Sequence, residues 1–169
     1  MDNQQLEKIR HSTSHLLAYA VKEIYGDGVK FAIGPVIDDG FYYDFDLPDK
    51  TFSTDDLKKI EKVMTELIKK KLSFEKTEVD IKEALKKTEG QPYKQELIND
   101  LSAQGETRVS FYKVGEFEDL CRGPHVETTK ELGHFKLLKI AGAYWRGSEK
   151  NKMLQRIYGT AFGTKDELQ

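Results

Sequence analysis

The sequence has one cysteine, Cys121, in 169 residues, so no disulfide can form within the chain. A thiol without a partner points to a reducing, cytoplasmic setting and stays free for chemistry. Long apolar runs are also missing. The longest, Leu16 to Val21, falls far short of the ~20 residues that a membrane helix needs. The opening stretch, Met1 to Arg10, lacks the apolar segment of an export signal. Near the end, Lys165 to Leu168 spells a retention signal, but Gln169 follows and spoils it. Neither sign of charge dominates, because the net charge is -2. A near-neutral total excludes no nucleic-acid partner, since the local distribution of charge decides that binding.

What is present is enough to fold. Apolar residues make up 38 % of the chain, and a domain of this size can bury a core without a metal or disulfide staple. Charge is distributed unevenly. Asp38 to Asp49 holds five aspartates and no base, whereas Lys136 to Arg156 holds six bases against one acid, Glu149. The second stretch is the candidate phosphate contact.

Leu6, Ile9, Thr13, Leu16, Leu17, Ala20 and Ile24 recur at helical spacing, which predicts a first helix from about Gln5 to Ile24, ended by Gly26 and Gly28. Val29 to Ile37 and Phe41 to Phe45 read as strands around an Asp38, Asp39, Gly40 turn. Ser53 or Thr54 caps a second helix carrying Leu57, Ile60, Val63, Met64, Leu67 and Ile68, and a strand is expected over Phe74 to Val79. Ile81 to Lys87 and Pro92 to Leu101 read as shorter helices. Strands are then predicted at Val109 to Val114, His134 to Ile140, Tyr144 to Trp145 and Met153 to Tyr158. This order implies an α+β fold, with helices packed on a mainly antiparallel sheet as two layers of a single domain.

Of four histidines, three fall in spaced motifs. His11 and His15 stand at i and i+4, so a helix places both imidazoles on one face, close enough to pinch one ion or one substrate group. At roughly 100° per residue both should lie opposite the apolar stripe and away from the core. Cys121 and His125 form a second pair, and Gly123 and Pro124 between them force a compact turn. The four side chains offer zinc-like ligands. A metalloprotease HExxH motif is excluded, since Ser12 stands where the glutamate base would be. His134 is read as an ordinary strand or loop residue, and Asp119 as a carboxylate able to orient a histidine or a water.

HSTSH (His11 to His15), AIGPVIDDGFYYDFD (Ala32 to Asp46), DLCRGPH (Asp119 to His125), GAYWRG (Gly142 to Gly147) and NKMLQRIYGTAF (Asn151 to Phe162) together resemble the second N-terminal domain of bacterial-type threonyl-tRNA synthetases. HxxxH with CxxxH is shared with alanyl-tRNA editing domains. Arg122 and Pro124, the GFYYDFD segment and GAYWRG are similar to the threonyl branch. The resemblance covers about residues 5–163, and 164–169 would begin a linker to a catalytic core that lies outside these residues.

The resemblance implies hydrolysis of serine wrongly esterified to the terminal ribose of threonine tRNA. In that family His11 would lie beside the ribose and help activate it or a water, while Lys94 of the PYK motif would hold or activate the water. Asp119 and Cys121 would complete the catalytic group, and His15, Tyr43 and His125 would shape the substrate pocket. No cofactor is required in the threonyl branch, although His11, His15, Cys121 and His125 would be the ligands if zinc were bound. The expected partners are threonine tRNA and the catalytic and anticodon-binding domains of a synthetase, with no membrane. Arg146, Lys150 and Lys152 are candidate tRNA contacts, while Tyr144 and Trp145 beside them read equally well as strand packing. The competing functions are a noncatalytic tRNA- or zinc-binding module and an alanyl-type editing domain.

Overall fold

The computed structural model describes residues 2–169. Helix α1 (Asn3–Tyr25) starts at Asp2, whose side chain accepts a hydrogen bond from the Gln5 N–H at 2.8 Å. Strands β1 (Lys30–Phe31), β2 (Val36–Ile37) and β3 (Gly40–Asp46) follow, then α2 (Thr54–Lys69). The Ser53 N–H donates to Asp56 at 2.7 Å, a reciprocal cap that fixes the start of α2. Strand β4 (Phe74–Asp80), helices α3 (Ile81–Lys87) and α4 (Pro92–Ala103), and strands β5 (Arg108–Val114) and β6 (Phe117–Leu120) make the middle of the chain. Strands β7 (His134–Tyr144) and β8 (Met153–Phe162) and the short helix α5 (Lys165–Leu168) end it.

The architecture is α+β and every named strand pairing is antiparallel. The strands form two sheets where the sequence suggested one. A larger sheet runs β1-β3-β8-β7, with β2 also on β3, and a smaller one runs β4-β5-β6. Helices α1 and α2 pack on the face of the larger sheet that carries Phe41, Tyr43, Phe45, Leu137 and Ile157. Each such large apolar side chain, taken fully out of water, contributes about 1.5–3 kcal/mol before chain entropy is counted.

Three local expectations are corrected. The first helix is not amphipathic over its middle. Among residues 9–21 every one but His11 is buried, Arg10 and the polar run Ser12, Thr13, Ser14 and His15 included. The smaller sheet and its neighbours close over the side that a one-stripe helix would leave wet. His15 meets the rings of Phe74 at 5.9 Å and Phe117 at 5.0 Å. It is 2 % exposed, so the expectation that both histidines avoid the core fails for His15.

The predicted strand over Val29 to Ile37 breaks in two, because Gly34 and Pro35 leave the ladder. A Cβ on Gly34 would stand 2.2 Å from the Tyr43 ring, so only glycine lets that ring pass. Tyr144 closes β7, whereas Trp145 starts a single 3₁₀ turn through Gly147 and is buried against Tyr93 and Leu154. Residues 165–168 form α5 and pack on β7 and β8.

Candidate active site

Five segments meet at one cleft. Helix α1 brings His11, Ser14 and His15, the segment between β1 and β2 brings Gly34 and Pro35, and β3 brings Tyr43. Helix α4 brings Lys94, and β6 with the following turn brings Asp119 and Cys121. Together they line a cavity of about 290 Å³. All four residues expected to be catalytic lie on it, as do His15 and Tyr43. His125 stands behind Cys121 and is reached through it.

One wall is ionic. The Lys94 ammonium lies 2.9 Å from Asp119, with side-chain exposures of 6 % and 8 %. Lys94 is therefore buried against a counter-ion, unlike an ordinary lysine on a helix surface. Pro92 opens α4 and Tyr93 packs beside Trp145, so the next residue, Lys94, turns inward to the cleft. The Tyr43 hydroxyl donates to the second Asp119 oxygen at 2.6 Å, and Lys94 also lies 5.4 Å above the Tyr43 ring. Burial alone would raise the Asp119 pKa. Lys94, His15 and the Tyr43 hydroxyl outweigh it and hold the carboxyl below its ordinary range. The same burial, added to the negative charge of Asp119, pushes the Tyr43 phenol well up, so it remains a donor.

The other wall is neutral. Cys121 Sγ lies 3.3 Å from His11 Nε2 and 3.1 Å from His125 Nε2, and the two imidazoles stack at 4.5 Å. The turn that makes this arrangement needs glycine: Gly123 takes φ 79 and its N–H donates to Cys121 Sγ at 3.2 Å. Burial lowers the pKa of His11 and takes His15 down to about 4 and His125 down to about 2. The Cys121 thiol is pushed up to about 11, again chiefly by burial, so it is a thiol and not a thiolate near neutrality.

The hydrogen-bond pattern of this wall is directional. Ser12 Oγ accepts from the Val126 N–H at 3.0 Å and lies 3.0 Å from His125 Nδ1. Having accepted once, it has its own proton to give to Nδ1, which leaves the His125 proton on Nε2, facing the sulfur. The Pro124 carbonyl, which can only accept, favours a proton on the His11 nitrogen that faces away from Cys121 and leaves Nε2 as an acceptor. Ser12 was missed in the sequence, since nothing in its spacing marks it apart from any serine on a helix.

His11, Cys121 and His125 each offer one ligand atom within 4.8 Å of one another, whereas His15 stays outside this group. Ligands held about 2.0 to 2.3 Å from zinc at tetrahedral angles stand about 3.5 Å apart, close to the sulfur-to-nitrogen distances here. The donors therefore fit zinc as a trio with one open position, in place of the four-ligand set expected. His15 Nε2 is buried with no hydrogen-bond partner among the described residues.

The basic candidates lie outside the cleft. Arg146 is paired with Glu96 and Asp100 on α4, and Lys152 lies 2.8 Å from Asp46. Lys150 is exposed. No helix among the described residues is long and apolar enough to cross a membrane.

Residues 109–158 match the family described as the threonyl and alanyl tRNA synthetase second additional domain. The chain's similarity extends over almost its whole length to threonine–tRNA ligases. It is 55 % identical over 168 residues to that of Syntrophotalea carbinolica, covering 98 % of this chain and 26 % of the relative. Against the enzyme of Clostridium tetani it is 54 % identical over 170 residues, and against that of Thermotoga maritima 49 % over 168, with 99 % of this chain and 26 % of the relative covered in each case. The chain thus spans about a quarter of the length of the curated relatives it matches.

Proposed function

We propose that the cleft hydrolyses the ester between serine and the terminal ribose of threonine tRNA, as a post-transfer editing site. The observation that carries this reading is the buried Lys94–Asp119 pair opening on the same 290 Å³ cavity as a neutral His11. An activated ester needs a positioned water, a base and donors for the developing oxyanion, and no covalent step. Lys94 supplies a fixed positive charge and ammonium donors. Asp119 fixes that ammonium and Tyr43 fixes Asp119, so the donors reach the reacting atoms already oriented. His11, kept neutral by burial, exchanges the thiol's hydrogen bond at Nε2 for the attacking water and takes that water's proton as it adds to the carbonyl carbon. It returns that proton to the ribose oxygen as the tetrahedral adduct collapses. The Cys121 thiol orients His11 by hydrogen bonding, because a thiol with a pKa of about 11 is a poor nucleophile at neutral pH.

His15 lines this cleft with its ring while its Nε2 is sealed inside, so its part is to shape the pocket. Threonine differs from serine by one methyl group, which a single synthetic pocket discriminates by only ~1–3 kcal/mol. A second, hydrolytic sieve answers that need. A zinc ion held by His11, Cys121 and His125 would supply Lewis acidity at the same wall in place of the His11 proton transfers, because the imidazole lone pair that binds a metal cannot also take a proton. The deciding experiment is single-turnover deacylation of seryl- and threonyl-tRNA by this chain. Rapid loss of serine with threonine largely spared is the expected result, and equal rates would remove the serine-editing assignment.

A further inference from the structure

The larger sheet has a second face that neither α1 nor α2 covers. Its register sets Tyr42 opposite Tyr158, Asp44 opposite Arg156, and Lys139 opposite Tyr158, with Lys136 opposite Thr160 further along β7. The Arg156 guanidinium lies 3.7 Å over the centre of the Tyr42 ring. Asp44 holds it in place by two hydrogen bonds, 2.8 Å from Nε and 3.0 Å from the second terminal nitrogen. The Tyr158 hydroxyl lies 3.3 Å from the remaining nitrogen, and Lys139 lies 4.9 Å over the Tyr158 ring. The two tyrosines are half-buried and the two lysines exposed.

The patch lies on the opposite face of the sheet from the cleft, and the two meet at the sheet edge by β2. The Tyr42 N–H donates to the Pro35 carbonyl at 3.2 Å, and Pro35 lines the cavity. From β2 across β3 and β8 to β7 the surface runs three strand spacings, roughly 14 Å. Aromatic rings and an arginine plane held flat, flanked by mobile lysines, are the chemistry on which unpaired bases stack while phosphates are neutralised. Lys136, Lys139 and Arg156 face one carboxylate there, Asp44, which Arg156 already engages. Asp38 and Asp39 sit at the β2–β3 turn and bound the patch on one side.

We propose that Tyr42, Tyr158, Arg156 and Lys139 form a stacking platform for the unpaired nucleotides that precede the terminal one of the charged tRNA, the terminal nucleotide itself entering the cleft. This rests on the editing reading for its substrate and adds the surface that holds the strand. Lys139 is free to leave the Tyr158 ring for a phosphate when a base takes its place. Arg146 and Lys152, by contrast, are already paired with carboxylates.

Two measurements test it separately from the chemistry. The first compares hydrolysis of full seryl-tRNA with that of seryl-adenosine, which lacks the preceding nucleotides, in Tyr158→Ala, Tyr158→Phe and Lys139→Glu, with thermal melts to confirm folding. Tyr158→Ala and Lys139→Glu should each lose on the order of tenfold in kcat/KM on seryl-tRNA. On seryl-adenosine they should be unchanged, and Tyr158→Phe, which keeps the ring, should stay near the starting value. Equal losses on both substrates, or none on seryl-tRNA, would overturn the platform. The second titrates a labelled single-stranded RNA hexamer ending in CCA, whose binding should weaken about tenfold in the same two variants. Unaltered binding also overturns the platform, whereas absence of hydrolysis in the unsubstituted chain with the binding differences intact would remove only the editing reading.

Discussion

The two walls of the cleft differ in how they carry charge. Lys94 and Asp119 hold full charges in a dry place, each compensated by the other, and the neutral Tyr43 hydroxyl donates to the carboxylate. His11, Cys121 and His125 are half-buried and hold none, because burial has moved every one of their pKa values toward the neutral form. Under the proposed editing reaction the ionic wall orients and stabilises charge, and the neutral one moves protons. The contrast also implies different failures when each is cut.

The largest effect is expected on the ionic wall. Lys94→Ala leaves Asp119 buried without its counter-ion, a loss of about 3–5 kcal/mol in stability for pairs of this kind, and removes on the order of 100-fold or more from deacylation. Replacing both partners, Lys94→Met with Asp119→Leu, should restore much of the stability and none of the activity. Chemical denaturation beside single-turnover kinetics reads both quantities. A double variant no more stable than Lys94→Ala would show that the pair is not the unit described.

Next in size is a pH effect on stability that belongs to the neutral side. His15 has a folded pKa of about 4 against about 6.5 for an unfolded histidine. As pH falls from about 6.5 toward 4 the unfolded chain gains a proton there and the folded chain does not, so stability falls with pH and levels off below. The loss integrates to about 3 kcal/mol. His125, whose pKa is about 2, falls in the same direction and continues further into acid. His15→Leu should therefore flatten the stability profile between pH 6.5 and 4 by about one proton. Identical slopes in the two proteins would mean that His15 is not held neutral.

How much of this was legible in the sequence follows from the same contrast. HxxxH and CxxxH reveal themselves by spacing, so the neutral wall was readable before any fold was known, and the family resemblance added the rest. Lys94 and Asp119 are 25 positions apart on a helix and on β6, a strand of four residues that no periodic pattern announced. Only the packing of α4 against the smaller sheet brings them together. His15 was misplaced because stripe counting assumes a helix wet on one side, and α1 is enclosed over its middle. The order of helices and strands was readable, whereas the division into two sheets was not, since strand patterns carry no record of which neighbour they pair with.

A smaller change is expected at His11. It is half-buried and stacked on His125, so His11→Ala should cost about 1 kcal/mol in stability, far less than Lys94→Ala, while still lowering deacylation by on the order of 100-fold. If His11 and Lys94 serve one transition state, the double variant should be far less impaired than the product of the two single losses. Multiplicative losses in that cycle would separate the walls into independent sites.

The smallest expected effect is at Cys121, and it decides whether the neutral wall works as hydrogen-bonding groups or as metal ligands. A neutral thiol between His11 and His125 accepts from one ring and donates to the other, and a serine hydroxyl can do the same over a somewhat shorter reach. Cys121→Ser should then retain clearly more activity than Cys121→Ala, which offers neither donor nor acceptor. Zinc would reverse the logic, because a thiolate ligand is deprotonated by the metal and a serine hydroxyl is a much poorer ligand at neutral pH. Elemental analysis of the unsubstituted chain and both variants, with deacylation before and after chelation, separates the cases. The hydrogen-bonding reading expects activity that survives chelation and a graded order of the chain, then Cys121→Ser, then Cys121→Ala. One zinc per chain, lost in both variants together with the activity and restored in the unsubstituted chain by added zinc, would instead make His11, Cys121 and His125 a metal centre.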